Sequence, residues 1–337
     1  MSATRQHALP TLAAPQRGVS MIELMVGLAL GLLVVIVAST VFIGSRQANR
    51  TTDGLSRMQE TARNAFDLMA RELREAGGNP CDTSTIAVNV LNNAQVAPAD
   101  WWVDWDRQLQ GYDGAVAFEG AAIGASVGAR VAGTDAVMVK FIADLTDLTV
   151  TAHNTTTATF TVNNNPHRAR VGDLLMVCNY RQGALFQATA VTATTVEHAD
   201  SAAADGNCSR GLGIPTVCTP VGTAYNFGAG TKMGRLVSAG WYIGNNGRAD
   251  TGGRSLYRVT RNGVEEVAEG VNDMQAQYLV AGTAAYVDGT AVADWTAVVG
   301  MRVVLTLRSA QTGTSTSATT RIDRPVTFTL SLRNRLP

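Results

Sequence analysis

The sequence predicts an α+β protein: one long N-terminal α-helix, membrane-spanning in its first half and amphipathic in its second, packed on a β-rich globular head. Three observations carry that prediction. No charged residue occurs from Leu24 to Ser45, and the core of that run, Leu24 to Ile43 (LMVGLALGLLVVIVASTVFI), has the 20 residues a helix needs to cross roughly 30 Å of hydrocarbon. Apolar residues then recur at three- and four-residue intervals as far as Ala76, the spacing of a one-faced helix. Beyond Pro80 the chain breaks into short runs rich in Val, Thr and aromatics, separated by Gly, Asn and Asp. At 337 residues the chain is large enough for that helix and a head with a hydrophobic core. Lys plus Arg is 27 and Asp plus Glu is 27, so the chain lacks the basic footprint of a nucleic-acid binder, and no nucleic-acid partner is expected.

At the amino terminus, Met1 to Gly18 carries Arg5, His7 and Arg17 and no acidic residue, which holds this stretch in the cytoplasm and sends the head outward. A conventional signal peptide would be cut after its apolar region, and Val37-Ala38-Ser39 is a poor version of such a site. Glu23 stands at the head of the apolar helix, where a carboxylate in lipid is costly unless paired. An opposite charge close by makes it tolerable. A plain signal anchor with an interfacial glutamate is the alternative. Gly27 and Gly31 have the GxxxG spacing that lets helix backbones approach in lipid, although glycine is common in membrane helices.

After Ser45, Leu55, Met58, Ala62, Ala65, Phe66, Met69, Leu73 and Ala76 form one apolar stripe. Another face carries Arg46, Arg50, Asp53, Arg57, Glu60, Asn64, Asp67, Arg71 and Arg74, and reads as solvated. The pairs Asp53 with Arg57, Asp67 with Arg71 and Arg71 with Glu75 add a few tenths of a kcal/mol each. Gly77-Gly78-Asn79-Pro80 ends the helix, because glycine takes the left-handed cap and proline cannot continue the ladder. The expected organisation is therefore a leader at 1–18, a helix at 19–76 with its span at about 24–43, and a head at 77–337.

Within the head, strands are expected at 135–143, 148–153, 157–162, 173–180, 184–192, 235–243, 255–260 and 272–280. In the last strand Val326, Phe328, Leu330 and Leu332 alternate with Thr327, Thr329, Ser331 and Arg333, so one face is buried. Trp295 to Arg308 fits a helical face as well as a strand, and its Val and Leu content favours the strand. The stretches 154–156, 201–207 and 311–320 are small and polar and read as loops.

Four cysteines, Cys81, Cys178, Cys208 and Cys218, fall in the outward-facing portion, an oxidising compartment where an even count suggests two bridges. Three connectivities are possible. Cys208 with Cys218 is the local choice and leaves Cys81 for Cys178; buried free thiols are the alternative. Trp101, Trp102 and Trp105 with Asp104 and Asp106 (WWVDWD) suit a core or an interface better than a sugar-stacking site. His7, His153, His167 and His198 read as isolated, with no GxSxG elbow or phosphate loop nearby, so the chain is not expected to be an enzyme. Asp200, Asp205 and Asn207 around Gly206 lack the ligand spacing of a calcium loop, and no metal or cofactor is expected.

The run Arg17-Gly18-Val19-Ser20-Met21-Ile22-Glu23-Leu24-Met25-Val26 resembles the type IV prepilin signature: a glycine, a hydrophobic residue, and a glutamate five positions after the cut. The resemblance implies that a prepilin peptidase cuts after Gly18, that Val19 becomes the N-methylated terminus, and that Glu23 pairs with the terminal amine of a neighbouring subunit. Val19 stands where phenylalanine is commoner, and the leader is longer than in the classical short-leader group. No proline occurs between Pro15 and Pro80, which points to a minor rather than a major subunit. The segments Leu109 to Asp113, Gly270 to Tyr278, Val298 to Arg308 and Leu332 to Arg335 are similar to the PilW family of type IV pilus minor pilins. The likeness covers both ends of the chain well and about 121–234 poorly. It implies a type IV pilin-like fold and a subunit at or near the pilus tip that helps initiate assembly. Its partners would be other minor pilins, the major pilin and the inner-membrane assembly platform. The head would sit in the periplasm before assembly and on the cell-surface fibre afterwards. A pseudopilin of a type II secretion machine shares the signature, and a membrane-tethered enzyme or ligand-binding head is the alternative from another class.

Overall fold

The structure, a computed structural model, describes residues 18–81, 86–163, 167–249, 252–309 and 321–335. The leader before Gly18 and the polar stretch 311–320 lie outside the described residues. The chain divides into two compact units, Met1–Thr52 and Asp53–Pro337.

Helix α1, Met21–Arg74, contributes to both. In the first unit every side chain from Met21 to Arg46 is exposed, and the helix is long and apolar enough to cross a membrane. At the end of the apolar run the Arg46 guanidinium lies over the Phe42 ring, 4.5 Å from its centroid. In the second unit the expected stripe is buried at Met58, Ala62, Ala65, Phe66, Met69, Leu73 and Ala76, with Leu55 half-buried and Ala70 buried as well. The helix gives way to a turn past Arg74, and Gly77 adopts φ +73° while its N–H donates to the Lys140 carbonyl at 2.9 Å.

Among the described residues the head has fifteen strands. The first group is β1 (Ala87–Asn89), β2 (Leu109–Tyr112), β3 (Ala136–Asn154), β4 (Thr159–Val162) and β5 (Leu174–Cys178). Next come β6 (Gly183–Gln187), β7 (Ala190–Val191), β8 (Thr195–Glu197), β9 (Lys232–Asn245) and β10 (Arg254–Thr260). The last are β11 (Gly263–Glu269), β12 (Val271–Val280), β13 (Tyr286–Asp288), β14 (Val298–Arg308) and β15 (Asp323–Ser331). The two expected strands at 135–143 and 148–153 are one 19-residue strand, β3, with Asp147 at φ +58° and a register shift between Asp144 and Thr149. Strands β1, β2, β8, β11 and β13 were outside the expected set; β1, β8 and β13 have three residues and β2 four, too short for alternation to be read, and the seven residues of β11 are exposed or half-buried with no buried face.

The long antiparallel pair β3–β9 organises the larger, 11-stranded sheet. At one end of this pair, β2 adds to β3, and β10 followed by β11 adds to β9. At the other end, β4, β8 and β7 continue from β3, and β5, β6 and β1 from β9. A second sheet runs β13-β12-β14-β15, all antiparallel. Its strand β14 confirms the strand reading of Val298 to Arg308, and Trp295–Ala297 forms a 3-10 turn just before it.

The buried stripe of α1 enters one core with Val137, Val139, Trp241 and Leu256 from the first sheet and Met274, Met301, Val303, Leu305 and Leu330 from the second. Phe66 stacks on Phe328 at 4.0 Å between centroids, so the inward side of β15 faces the helix as its alternation requires. A separate core fills the other end of the β3–β9 pair with Phe160, Val177, Phe186, Val196, Phe227 and Met233.

Candidate functional site

The N-terminal end of α1 is closed by its own side chains. Ser20 is the residue before the helix, its carbonyl accepting the Leu24 N–H at 3.1 Å and its hydroxyl accepting the Ile22 N–H at 3.3 Å. Glu23 Oε2 in turn accepts the Ser20 backbone N–H at 3.0 Å. This reciprocal pair is a capping box, and the signal for it, a serine followed three residues later by a glutamate, was present in Ser20-Met21-Ile22-Glu23. Glu23 therefore has a local partner in the unprocessed chain. Gly18 and Val19 are exposed and extend from this cap without helical structure. Gly27 and Gly31 lie on one exposed side of the helix with Leu24, Leu28, Leu32 and Val35.

The cysteines pair as Cys81–Cys178 and Cys208–Cys218, with Cα separations of 6.0 and 4.9 Å. The first bridge joins the segment just past α1 to the end of β5; the second closes a ten-residue separation. Disulfides are at home in an oxidising compartment such as the periplasm, and with a membrane-spanning type of helix they describe an anchored protein whose head faces that compartment.

Where α1 meets the large sheet, Glu72 forms a latch that the sequence reading passed over. Its carboxylate accepts the Trp241 indole N–H at 2.9 Å and pairs with the Arg258 guanidinium at 2.6 Å from Nη2 and 3.0 Å from Nε. The helix thus carries one carboxylate onto the sheet, while Arg63 and Asp67 pair on its exposed face.

Trp101 and Trp105 are buried in the head, as a core role predicts, and Trp101 packs edge-on against Phe118. Trp102 is half-buried and turns one side toward a cavity. Among the described residues, two buried cations have no contacting carboxylate. Arg130 donates to the carbonyls of Tyr112, Asp113, Val116 and Thr134, tying down the connection between β2 and β3. Lys140 donates from Nζ to the Arg107 carbonyl at 2.7 Å, and burial pushes its amine down to about 7. Asp135, pushed up to about 6 by burial, accepts the Ala276 N–H at 2.8 Å and so joins the start of β3 to β12.

His153 and His198, expected to be isolated, face each other with Nε2 atoms 3.0 Å apart. Because His153 Nδ1 accepts the Phe227 N–H at 3.2 Å, its proton sits on Nε2 and is donated to His198. His198 keeps its own proton on Nδ1, which is buried without a partner among the described residues. Burial lowers the two imidazoles to about 4 and about 3, so both are neutral at pH 7 among Phe160, Phe186 and Phe227. Asn207 is fully buried and exchanges hydrogen bonds with the Gln187 backbone, while Asp205 accepts from the Asn93 side chain. These contacts account for the acidic loop as a structural clasp.

The cavity beside Trp102 measures about 370 Å³ and is lined by Arg170, Arg235, Arg258 and Arg261, with Asp173 as the acidic residue in its wall. No protein-family model matches the chain, and no curated protein matches it either.

Proposed function

We propose that this chain is a minor subunit of a type IV pilus, processed after Gly18 and inserted into the filament through its N-terminal helix, at or near the tip, where it helps initiate assembly. The observation that carries the reading is the joining of two things: the Gly18 to Glu23 signature, and a 54-residue helix left bare and apolar at its start but buried against the head at its end. An anchor alone needs only about 20 residues. A helix continued to Arg74 lets one element serve two kinds of packing: the bare half against other apolar helices, the buried half within its own head. Once the leader is cut, Val19 carries a free amine four residues before Glu23 of its own chain and open to the Glu23 of a neighbour. Out of water, the Glu23 carboxylate gains from such a cation what headgroups supplied before. A pseudopilin would share every one of these features and is separated from the pilin by whether the gene stands beside pilus or secretion genes.

The test uses three strains at matched protein level: parent, Glu23→Leu and Glu23→Gln. Intact mass of the membrane-extracted parent should show loss of Met1 to Gly18 and one added methyl group. Glutamine keeps the capping box with Ser20 but not the charge, so it separates the local role of Glu23 from the assembly role. Both variants should be processed; Glu23→Leu should fail to co-purify with other pilus subunits and lower surface piliation, and Glu23→Gln should show a milder defect of the same kind. A parent that begins at Met1 or near Ser39, or a Glu23→Leu strain that assembles like the parent, sinks the reading.

A further inference from the structure

The four arginines around the 370 Å³ cavity come from three parts of the chain, the loop before β5, strand β9, and β10 with the turn after it, and are not equivalent. Arg235, on β9, is held by Asp173, with Nε at 3.0 Å and Nη2 at 2.9 Å from the carboxylate. Arg258, on β10, is held by Glu72 of α1. Both guanidinium groups are therefore fixed in place and their charge is largely matched. Arg170 and Arg261 are different. Both are exposed, and neither meets a carboxylate among the described residues. Arg261 spends one N–H on the Gly172 carbonyl at 3.1 Å, which carries the β10–β11 turn across to the loop before β5 and forms the rim. The Arg170 side chain makes no hydrogen bond among the described residues, although its backbone N–H is fixed by Asp173 at 2.8 Å. Two of the four cations are thus matched by carboxylates, and the two exposed ones are not.

Trp102 lines the same cavity; its carbonyl accepts from the Ser238 hydroxyl at 2.7 Å and its ring stands perpendicular to that of Trp101. A half-buried indole held from behind offers a flat apolar surface at little cost in side-chain freedom. The volume lies at the small end of the range for small-molecule sites, enough for one or two rings. A planar fork of N–H donors matches a carboxylate in two parallel hydrogen bonds. Asn262 beside Arg261 adds an amide for hydroxyl groups.

We propose that this cavity binds an acidic saccharide of the uronic acid class, its carboxylate taken by Arg170 and Arg261 and the face of its ring laid on Trp102. The site lies wholly within Asp53–Pro337 and does not depend on processing after Gly18, so it stands or falls separately from the filament reading.

The experiment is calorimetric titration of the purified full-length chain in a detergent without a sugar headgroup. The probes are glucuronate, galacturonate and their disaccharides, with glucose, galactose, acetate and inorganic phosphate as comparisons. At least one uronate should bind saturably, and more tightly than the neutral sugars and the simple anions. Arg170→Ala, at an exposed position whose side chain makes no hydrogen bond among the described residues, should weaken that binding by about tenfold or more without changing the melting temperature; Arg261→Ala, which also gives up the bond to the Gly172 carbonyl, should weaken it as much. Trp102→Phe should weaken it less and Trp102→Leu more; Phe is the arm that preserves packing against Trp101. Equal binding of glucose would remove the role of the arginines, and equal binding of phosphate or acetate would reduce the site to a general anion pocket. Either result overturns the proposal, as does the absence of saturable binding to any uronate or arginine variants that bind like the parent.

Discussion

The two ends of the β3–β9 pair are held together by different means. At the end that receives α1, a helix and two sheets share one large core, and the polar contacts added to it, such as Glu72 with Arg258 and Trp241, orient elements that burial already holds. At the other end the strands are short, β7 having two residues and β8 three. The core there is smaller, and the chain adds to it a cross-link between Cys208 and Cys218, the Asn207 clasp and a pair of neutral histidines among phenylalanines. Where an amphipathic helix can cover a sheet, apolar area does the stabilising. Where only short strands and loops are available, covalent bonds and satisfied buried polar groups substitute for it, as in small disulfide-bearing domains.

Removing the cross-links separates the two regimes most sharply. Replacing Cys81 and Cys178 by Ser frees a separation of 97 residues, and the loop-entropy relation puts the loss at about 4 to 5 kcal/mol; replacing Cys208 and Cys218 frees a separation of 10 and should cost about 2 to 3 kcal/mol. Guanidinium unfolding of each full-length variant measures both, and equal losses would show that loop length is not what decides. A somewhat smaller effect is expected from the helix core. Leu73 is completely buried, and Leu73→Ala should destabilise the head by about 3 kcal/mol. Leu28→Ala, at an exposed position of the same helix, should leave the same unfolding midpoint unchanged. A large loss from Leu28→Ala would mean that the first half of α1 supports the head after all.

A further difference lies in acid stability, and its histidine part belongs to the short-strand end. Unfolded, His153 and His198 take up protons near 6.5; folded, burial holds them off until about 4 and about 3. Their contribution is therefore complete above pH 6.5 and is lost as the pH falls from there toward 3. Asp135 acts in the opposite sense, because its folded carboxyl, raised to about 6, binds a proton before the unfolded one does near 3.8. It stabilises most below 3.8 and loses that contribution as the pH rises through 6. Melting temperatures between pH 7 and 4 should fall for the parent and fall less for His198→Phe, which puts a fourth phenylalanine beside Phe160, Phe186 and Phe227. An unchanged acid slope in His198→Phe would place the sensitivity elsewhere.

Much of the helix and the strands could be read from local order alone. The apolar run from Leu24, the stripe from Leu55 to Ala76, the stop at Gly77 and the alternation from Val326 to Leu332 are each repeats within one element, and the period of 3.6 or 2 is set by backbone geometry before any tertiary contact exists. The capping box of Ser20 and Glu23 belongs to the same class and was equally legible. What only the tertiary structure decided involves residues far apart in the chain: Glu72 with Arg258, His153 with His198, and Arg170 with Arg235 and Arg261 around one cavity beside Trp102. Each of those side chains, taken singly, looks like an ordinary surface charge or a lone imidazole. Their meeting depends on which strands pair and in what register, which rests on burial and hydrogen bonding summed over the whole sheet and leaves no periodic mark at the positions concerned.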